Sequence, residues 1–261
     1  MVKDYHIHAQ VLTNPANAEA FLHAAIERGI DEICITDHMP LIGNSAGDRI
    51  PAGQVGRYCE TVRHLAEQYR DRLSVKLGIE IDYHPSLEPQ IHAVLAAGDF
   101  DYVLGSSHLH VLEGTFERYT TRNEYAAAML ENTCAAAESG LFDTIAHVDM
   151  YRWIFASPQR FPLADDGFCE ERHRPLIDKT LETLYNTGVK LEINPHFAES
   201  CGENPDAVYP GIGITEAAIR RGVFFAYGSD AHKPASVGVM LPALRSHPLY
   251  GQALRIWEEE K

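Results

Sequence analysis

A chain of 261 residues, 45% hydrophobic and 23% charged, is long enough for one large α/β domain with ample core, and residues 1–261 are expected to form a single one. Its formal net charge of -15 disfavours a surface for nucleic acid, although bound divalent cations would still let an acidic protein hold an anionic substrate. No apolar run is long enough to span a bilayer, and the N-terminus lacks a basic stretch followed by an apolar one. Cys34, Cys59, Cys134, Cys169 and Cys201 are widely spaced, with no CxxC pair. The expectation is a cytoplasmic protein with reduced thiols and neither a membrane nor a nucleic-acid partner.

The first predicted strand, 3–8, contains Asp4-Tyr5-His6-Ile7-His8. A helix over 15–28 follows, opened by Asn14-Pro15 and stopped at Gly29. Strand 31–37 runs into Thr36-Asp37-His38, and after a helix at 54–71 strand 74–82 carries Gly78-Ile79-Glu80. A helix at 86–97 leads to strand 101–107 and Gly105-Ser106-Ser107-His108; a helix at 122–139, closed by Gly140, leads to strand 143–148 and Ala146-His147-Val148-Asp149. The helix at 170–187 ends at Gly188, before strand 189–194 with Glu192-Ile193-Asn194. The helix at 213–221 ends at Gly222, before strand 223–229 and Gly228-Ser229-Asp230-Ala231-His232.

This alternation predicts a parallel sheet. No GxGxxG follows the first strand, which removes the dinucleotide-binding signature. Ligand-type residues at nearly every strand end favour closure into a barrel, since a barrel gathers those ends on one face. Four long connections, 40–53, 109–121, 149–169 and 195–212, follow strands and belong to that face.

In His6-Ile7-His8 the alternation of a strand turns both imidazoles to one side. Asp4 shares that side, either to orient an imidazole or to cap a turn. Glu80 follows an apolar strand, where an ionised carboxylate is costly without a partner, and a cation pair sharing it would remove the cost. With 14 histidines in the chain some reach strand ends by chance, but chance does not explain so many at one topological edge. Imidazole and carboxylate without cysteine suit Zn, Mn or Fe, and so many ligands call for more than one ion. Two metals sharing Glu80 would hold a bridging hydroxide and clamp a displacement at phosphorus.

From Asp4 to Lys233 these motifs resemble those of the polymerase and histidinol phosphatase (PHP) superfamily, whose members have a distorted (β/α)7 TIM-like barrel. The resemblance implies that His6, His8, Glu80 and Asp230 hold one divalent ion, and Glu80, His108 and His147 a second. A third would sit at His38 and His232, where members usually add a ligand from the loop after the first HxH. Here that loop, 9–14, has neither histidine nor aspartate, which leaves the site weaker, or completed by Asn14 or water. Arg152 is the leading candidate for phosphate binding because of bidentate guanidinium geometry, with Arg118 and Lys233 behind it. His110 and His196 either contact substrate or cap loops. Asp230 and His232 are the candidate proton donors to the leaving group, beside the shared catalytic Glu80.

Stand-alone family members of this size include a histidinol-phosphate phosphatase. The resemblance therefore implies hydrolysis of a small phosphate monoester, with L-histidinol phosphate, in histidine biosynthesis, the expected substrate. The alternatives are a phosphoesterase acting on another ester or nucleotide, a 3'-5' nuclease, and a non-catalytic metal-binding protein.

Overall fold

A computed structural model describes residues 1–40 and 49–259, so residues 41–48 of the expected 40–53 loop lie outside the described residues. The predicted strands are β1 (Lys3–Ile7), β2 (Glu32–Ile35), β3 (Ser74–Asp82), β4 (Tyr102–Ser106), β5 (Thr144–Ile145), β6 (Lys190–Ile193) and β7 (Phe225–Tyr227). They lie side by side in chain order, each pair of neighbours parallel. Strands of this kind are covered on both faces, which is why Ile33, Ile35, Leu77, Ile79 and Ile81 are all buried. The six predicted helices form on the outside, at Pro15–Glu27, Val55–Tyr69, Glu88–Ala96, Arg122–Glu138, Arg174–Thr187 and Ile212–Arg221. The result is a distorted (β/α)7 TIM-like barrel.

The distortion lies where β7 should meet β1. Instead of a ladder, one parallel bridge joins Ile7 to Ala231, with the His8 amide donating to the Ala231 carbonyl at 3.0 Å and the Ala231 amide to the His6 carbonyl at 3.3 Å. Asp4 completes the closure: Oδ1 accepts from the Ser229 amide and Oδ2 from the Gly238 amide, both at 2.8 Å. Of its two expected roles, Asp4 therefore takes the capping one; among the described residues it bonds backbone amides and no imidazole. Burial pushes its carboxyl up to about 6, against the opposing pull of these amide bonds.

Several strands end earlier than expected, because the chain turns away at the ligand-type residues. β5 stops after Ile145, and His147 has φ 27°; β7 stops after Tyr227, and Asp230 has φ 54°. Positive φ in residues with a Cβ is uncommon and concentrates at functional sites. The short helices Tyr151–Phe155 and His196–Ser200 lie within expected loops, being too short to show a period. The helices Leu241–Ser246 and Pro248–Glu259 bury Leu244, Tyr250, Leu254 and Trp257 in the main core.

Replacing Asp4 by Ala leaves two closing amides unpartnered, offset in part by relief of a buried carboxyl. The expected loss is about 2–4 kcal/mol in denaturant unfolding of the chelated protein. An unchanged midpoint would contradict the closing role.

Candidate metal centre

The first cluster is built by β1, β3 and the segment after β7. His6 Nε2 and His8 Nε2 are 3.0 Å apart. Glu80 Oε2 lies 3.5 Å from His6 Nε2 and 3.4 Å from His8 Nε2, while Asp230 Oδ1 lies 3.5 and 3.2 Å from the same two nitrogens. Four ligand atoms about 2.0–2.1 Å from a tetrahedral cation would be separated from one another by about 3.3 Å. The five separations straddle that value, so the donor set fits a small divalent ion.

The other carboxylate oxygen serves a second group. Glu80 Oε1 lies 3.2 Å from His147 Nε2 and 3.8 Å from His108 Nε2. Glu80 thus turns one oxygen to each cluster, the arrangement a bridging ligand requires. In a third group, ligand atoms of His8, His38 and His232 lie within 4.8 Å of one another. His38 Nδ1 approaches Glu80 Oε2 to 2.7 Å without hydrogen-bond alignment, and both atoms, like His8 Nδ1, are buried and lack a hydrogen-bond partner among the described residues. Asn14 is exposed at the start of its helix, whereas His8 is buried and groups with His38 and His232.

Behind the ligands stands a set of carboxylates that fix ring orientation, as at metal-bound histidines generally. Glu192 Oε1 is 2.7 Å from His6 Nδ1, and its other oxygen accepts from the His147 amide at 3.0 Å. The Asn194 amide donates to Glu192 at 2.9 Å and to Asp230 at 3.4 Å, which gives both residues the role the sequence left unassigned. Gly228 makes room for this pair: a Cβ there would sit 2.1 Å from Glu192 Oε1 and 2.4 Å from the His6 Cβ. Asp82, two residues beyond Glu80 on the same strand face, lies 2.7 Å from His108 Nδ1 and accepts from Arg49 Nη1 at 2.5 Å.

Burial alone would push Glu80 up, but the imidazoles of His38, His6 and His108 hold it well below the ordinary carboxylate range. Burial likewise pulls His6 down, and Glu192, Asp230 and Glu80 more than reverse this, so its proton is held well above the usual imidazole range. His8, buried against His38 and His232, is held well below it. An imidazole must be neutral to ligate, so acid competes with a cation for His6.

Glu80, His38, His108, His147, Asp230 and His232 line a cavity of about 610 Å³, together with the apolar and aromatic side chains of Phe116, Met150, Trp153, Phe161 and Tyr209. His110 and His196 line it. Burial, with His108 beside it, pushes His110 down to about 3. Arg152 is displaced from its expected place. Its guanidinium donates to Asp149 Oδ2 (3.0 Å), the Val208 carbonyl (2.8 Å) and the Asp206 carbonyl (2.7 Å), and it does not line the cavity. Arg118 is exposed away from the cavity, and Lys233 pairs with Glu199 at 2.9 Å in an adjoining recess. The cationic lining is instead Arg49 and Arg160, the latter stacked on Trp153 and Phe161 with its guanidinium carbon 5.2 and 5.1 Å from the ring centres. The alternation Glu80-Ile81-Asp82 could have revealed Asp82; nothing local marks Arg49 or Arg160.

Because Glu80 faces two clusters, Glu80→Ala is expected to lower metal content by at least one ion per chain. Elemental analysis of the purified variant checks this, and unchanged stoichiometry would remove the bridging role.

The PHP domain family matches this chain over residues 4–196. The chain is 30% identical, over 249 residues covering 90% of it and 88% of the relative, to a Deinococcus radiodurans protein named "Probable histidinol-phosphatase". It is 23% identical to the histidinol-phosphatase of Bacillus subtilis, covering 90% of this chain and 95% of that one. The solved structure of histidinol phosphate phosphatase from Lactococcus lactis, complexed with Zn, L-histidinol and phosphate, superposes with a TM-score of 0.72 at 19% identity, covering 97% of this chain and 93% of that one; the likeness is one of fold. The chain belongs to the PHP domain family.

Proposed function

We propose that this protein hydrolyses L-histidinol phosphate to L-histidinol and phosphate, as a cytoplasmic enzyme of histidine biosynthesis formed by the whole chain as one domain. The observation that carries the reading is the division of Glu80, one oxygen toward His6 and His8 and the other toward His147 and His108, in the lining of a cavity that also carries aromatic side chains. Support for the substrate comes from the name of the Deinococcus relative and from the histidinol and phosphate bound to the Lactococcus protein.

His6, His8, Glu80 and Asp230 would hold one divalent ion, Glu80, His108 and His147 a second, and His38 with His232 beside His8 a third. Zinc is favoured by the Lactococcus complex, and manganese and iron suit the same donors. When bound, such ions supply an activated water and neutralise phosphoryl oxygens. Glu192 and Asp82 hold the His6 and His108 rings in orientation. Arg49 and Arg160 supply positive charge at the cavity lining for the anionic ester. Asp230 and His232, 3.4 Å apart at Oδ1 and Nδ1 in the cavity lining, are the candidate proton donors to the departing alkoxide, a role that competes with ligation. The aromatic residues offer ring faces to the imidazole ring carried by the departing histidinol.

A panel of phosphate esters assayed with zinc, manganese or iron tests the reading. L-histidinol phosphate is expected to show the highest kcat/KM, with activity abolished by chelation and restored by metal. Strong turnover of another ester with negligible turnover of histidinol phosphate would overturn the substrate.

A further inference from the structure

Tyr209 lines the cavity beside the candidate ligand His147. A buried tyrosine ordinarily spends its hydroxyl on a protein partner. Tyr58 donates to the Gly78 carbonyl, Tyr227 to that of Val239 and Tyr250 to that of Pro210, while the Tyr125 hydroxyl lacks a partner among the described residues but is sealed from solvent and from any ligand. Tyr209 is buried to the same degree, 2% exposed, yet its hydroxyl makes no hydrogen bond with a described residue and is not sealed from solvent.

Everything else about Tyr209 is held in place. Its backbone exchanges hydrogen bonds with Asn194 at 2.7 and 2.8 Å, the same residue that reaches Glu192 and Asp230. Its ring stacks on Phe197, centroids 5.8 Å apart and planes at 15°, and meets the His147 ring edge-on at 6.3 Å. The Arg152 guanidinium carbon lies 5.4 Å from the ring centre. Arg152 also grips the Asp206 and Val208 carbonyls on the near side of Tyr209, while Asp149 Oδ2 takes the Gly211 amide at 2.9 Å on the far side. A free donor on so fixed a ring, beside a ligand histidine, is organised in advance for a ligand.

We propose that the Tyr209 hydroxyl donates a hydrogen bond to a phosphoryl oxygen of the bound ester, and that Arg152 and Asp149 are positioning residues acting through it. This rests on the reading of the cavity as a phosphate-ester site. A preorganised neutral donor stabilises charge on the phosphoryl group without adding a cation that would compete for the carboxylates. Arg152, expected from the sequence to touch phosphate itself, acts one step removed.

The test compares wild type, Tyr209→Phe, Arg152→Lys and the double variant, all metal-loaded. The readouts are hydrolysis of L-histidinol phosphate and p-nitrophenyl phosphate, calorimetric binding of inorganic phosphate, metal content and melting midpoint. Tyr209→Phe is expected to lower kcat/KM about 10–100-fold on both esters and to weaken phosphate binding about 10-fold, with metal content and midpoint unchanged. Arg152→Lys loses in the same direction, and the double variant is no worse than Tyr209→Phe, because Arg152 works through the hydroxyl. Wild-type phosphate affinity and turnover in Tyr209→Phe would overturn the proposal, as would fully additive losses in the double variant. If the wild type cleaves neither ester yet binds phosphate, the functional reading fails while the binding comparison still judges Tyr209; a wild type that binds no phosphate sinks both.

Discussion

The structure turns on a carboxylate placed where carboxylates are least at ease. Glu80 is 1% exposed at the end of a strand whose neighbours are isoleucines, and five imidazoles surround it, those of His6, His8, His38, His108 and His147. A buried charge of this kind is tolerated only when partners of opposite charge repay its lost hydration. Imidazoles do so in part, but they leave Glu80 Oε2 and several ring nitrogens without hydrogen bonds. A cation held beside His6 and His8 would satisfy Glu80 Oε2, the one orphaned carboxylate oxygen of the cluster.

The surrounding residues follow from that demand. Ring nitrogens can converge on a small ion only if each ring is prevented from turning. Glu192 does this for His6 and Asp82 for His108, while Gly228 keeps clear the space that the Glu192–His6 contact occupies. Arg49 holds Asp82 in turn. The Asp149–Arg152 pair does comparable work, fixing a loop rather than an imidazole. Even the closure of the barrel serves the centre, since Asp4 ties β1 to the segment that delivers Asp230 and His232.

How much of this was legible in the sequence depended on where a residue sits. The candidate ligands lie at strand ends, where alternation and a parallel order fix both face and level, so the convergence of His6, His8, Glu80, His108 and His147 on one edge was legible in the sequence. Asp82 obeys the same alternation. Arg152 shows the limit: sequence proximity to His147 gave its neighbourhood, but the direction of its side chain was set by Asp149 and two carbonyls from a distant loop. Arg49 and Arg160 reach the cavity from long connections, whose path is set by tertiary packing and not by local pattern. The helices after β7 lacked a matching strand to announce them.

The central claim is that Glu80 is shared between two ions. Anomalous scattering from crystals grown with zinc tests it most directly, because it counts the ions and locates them in one experiment. At least two zinc peaks flanking Glu80 are expected, one bonded to each carboxylate oxygen. A single peak, or zinc bound only at sites remote from Glu80, would contradict it.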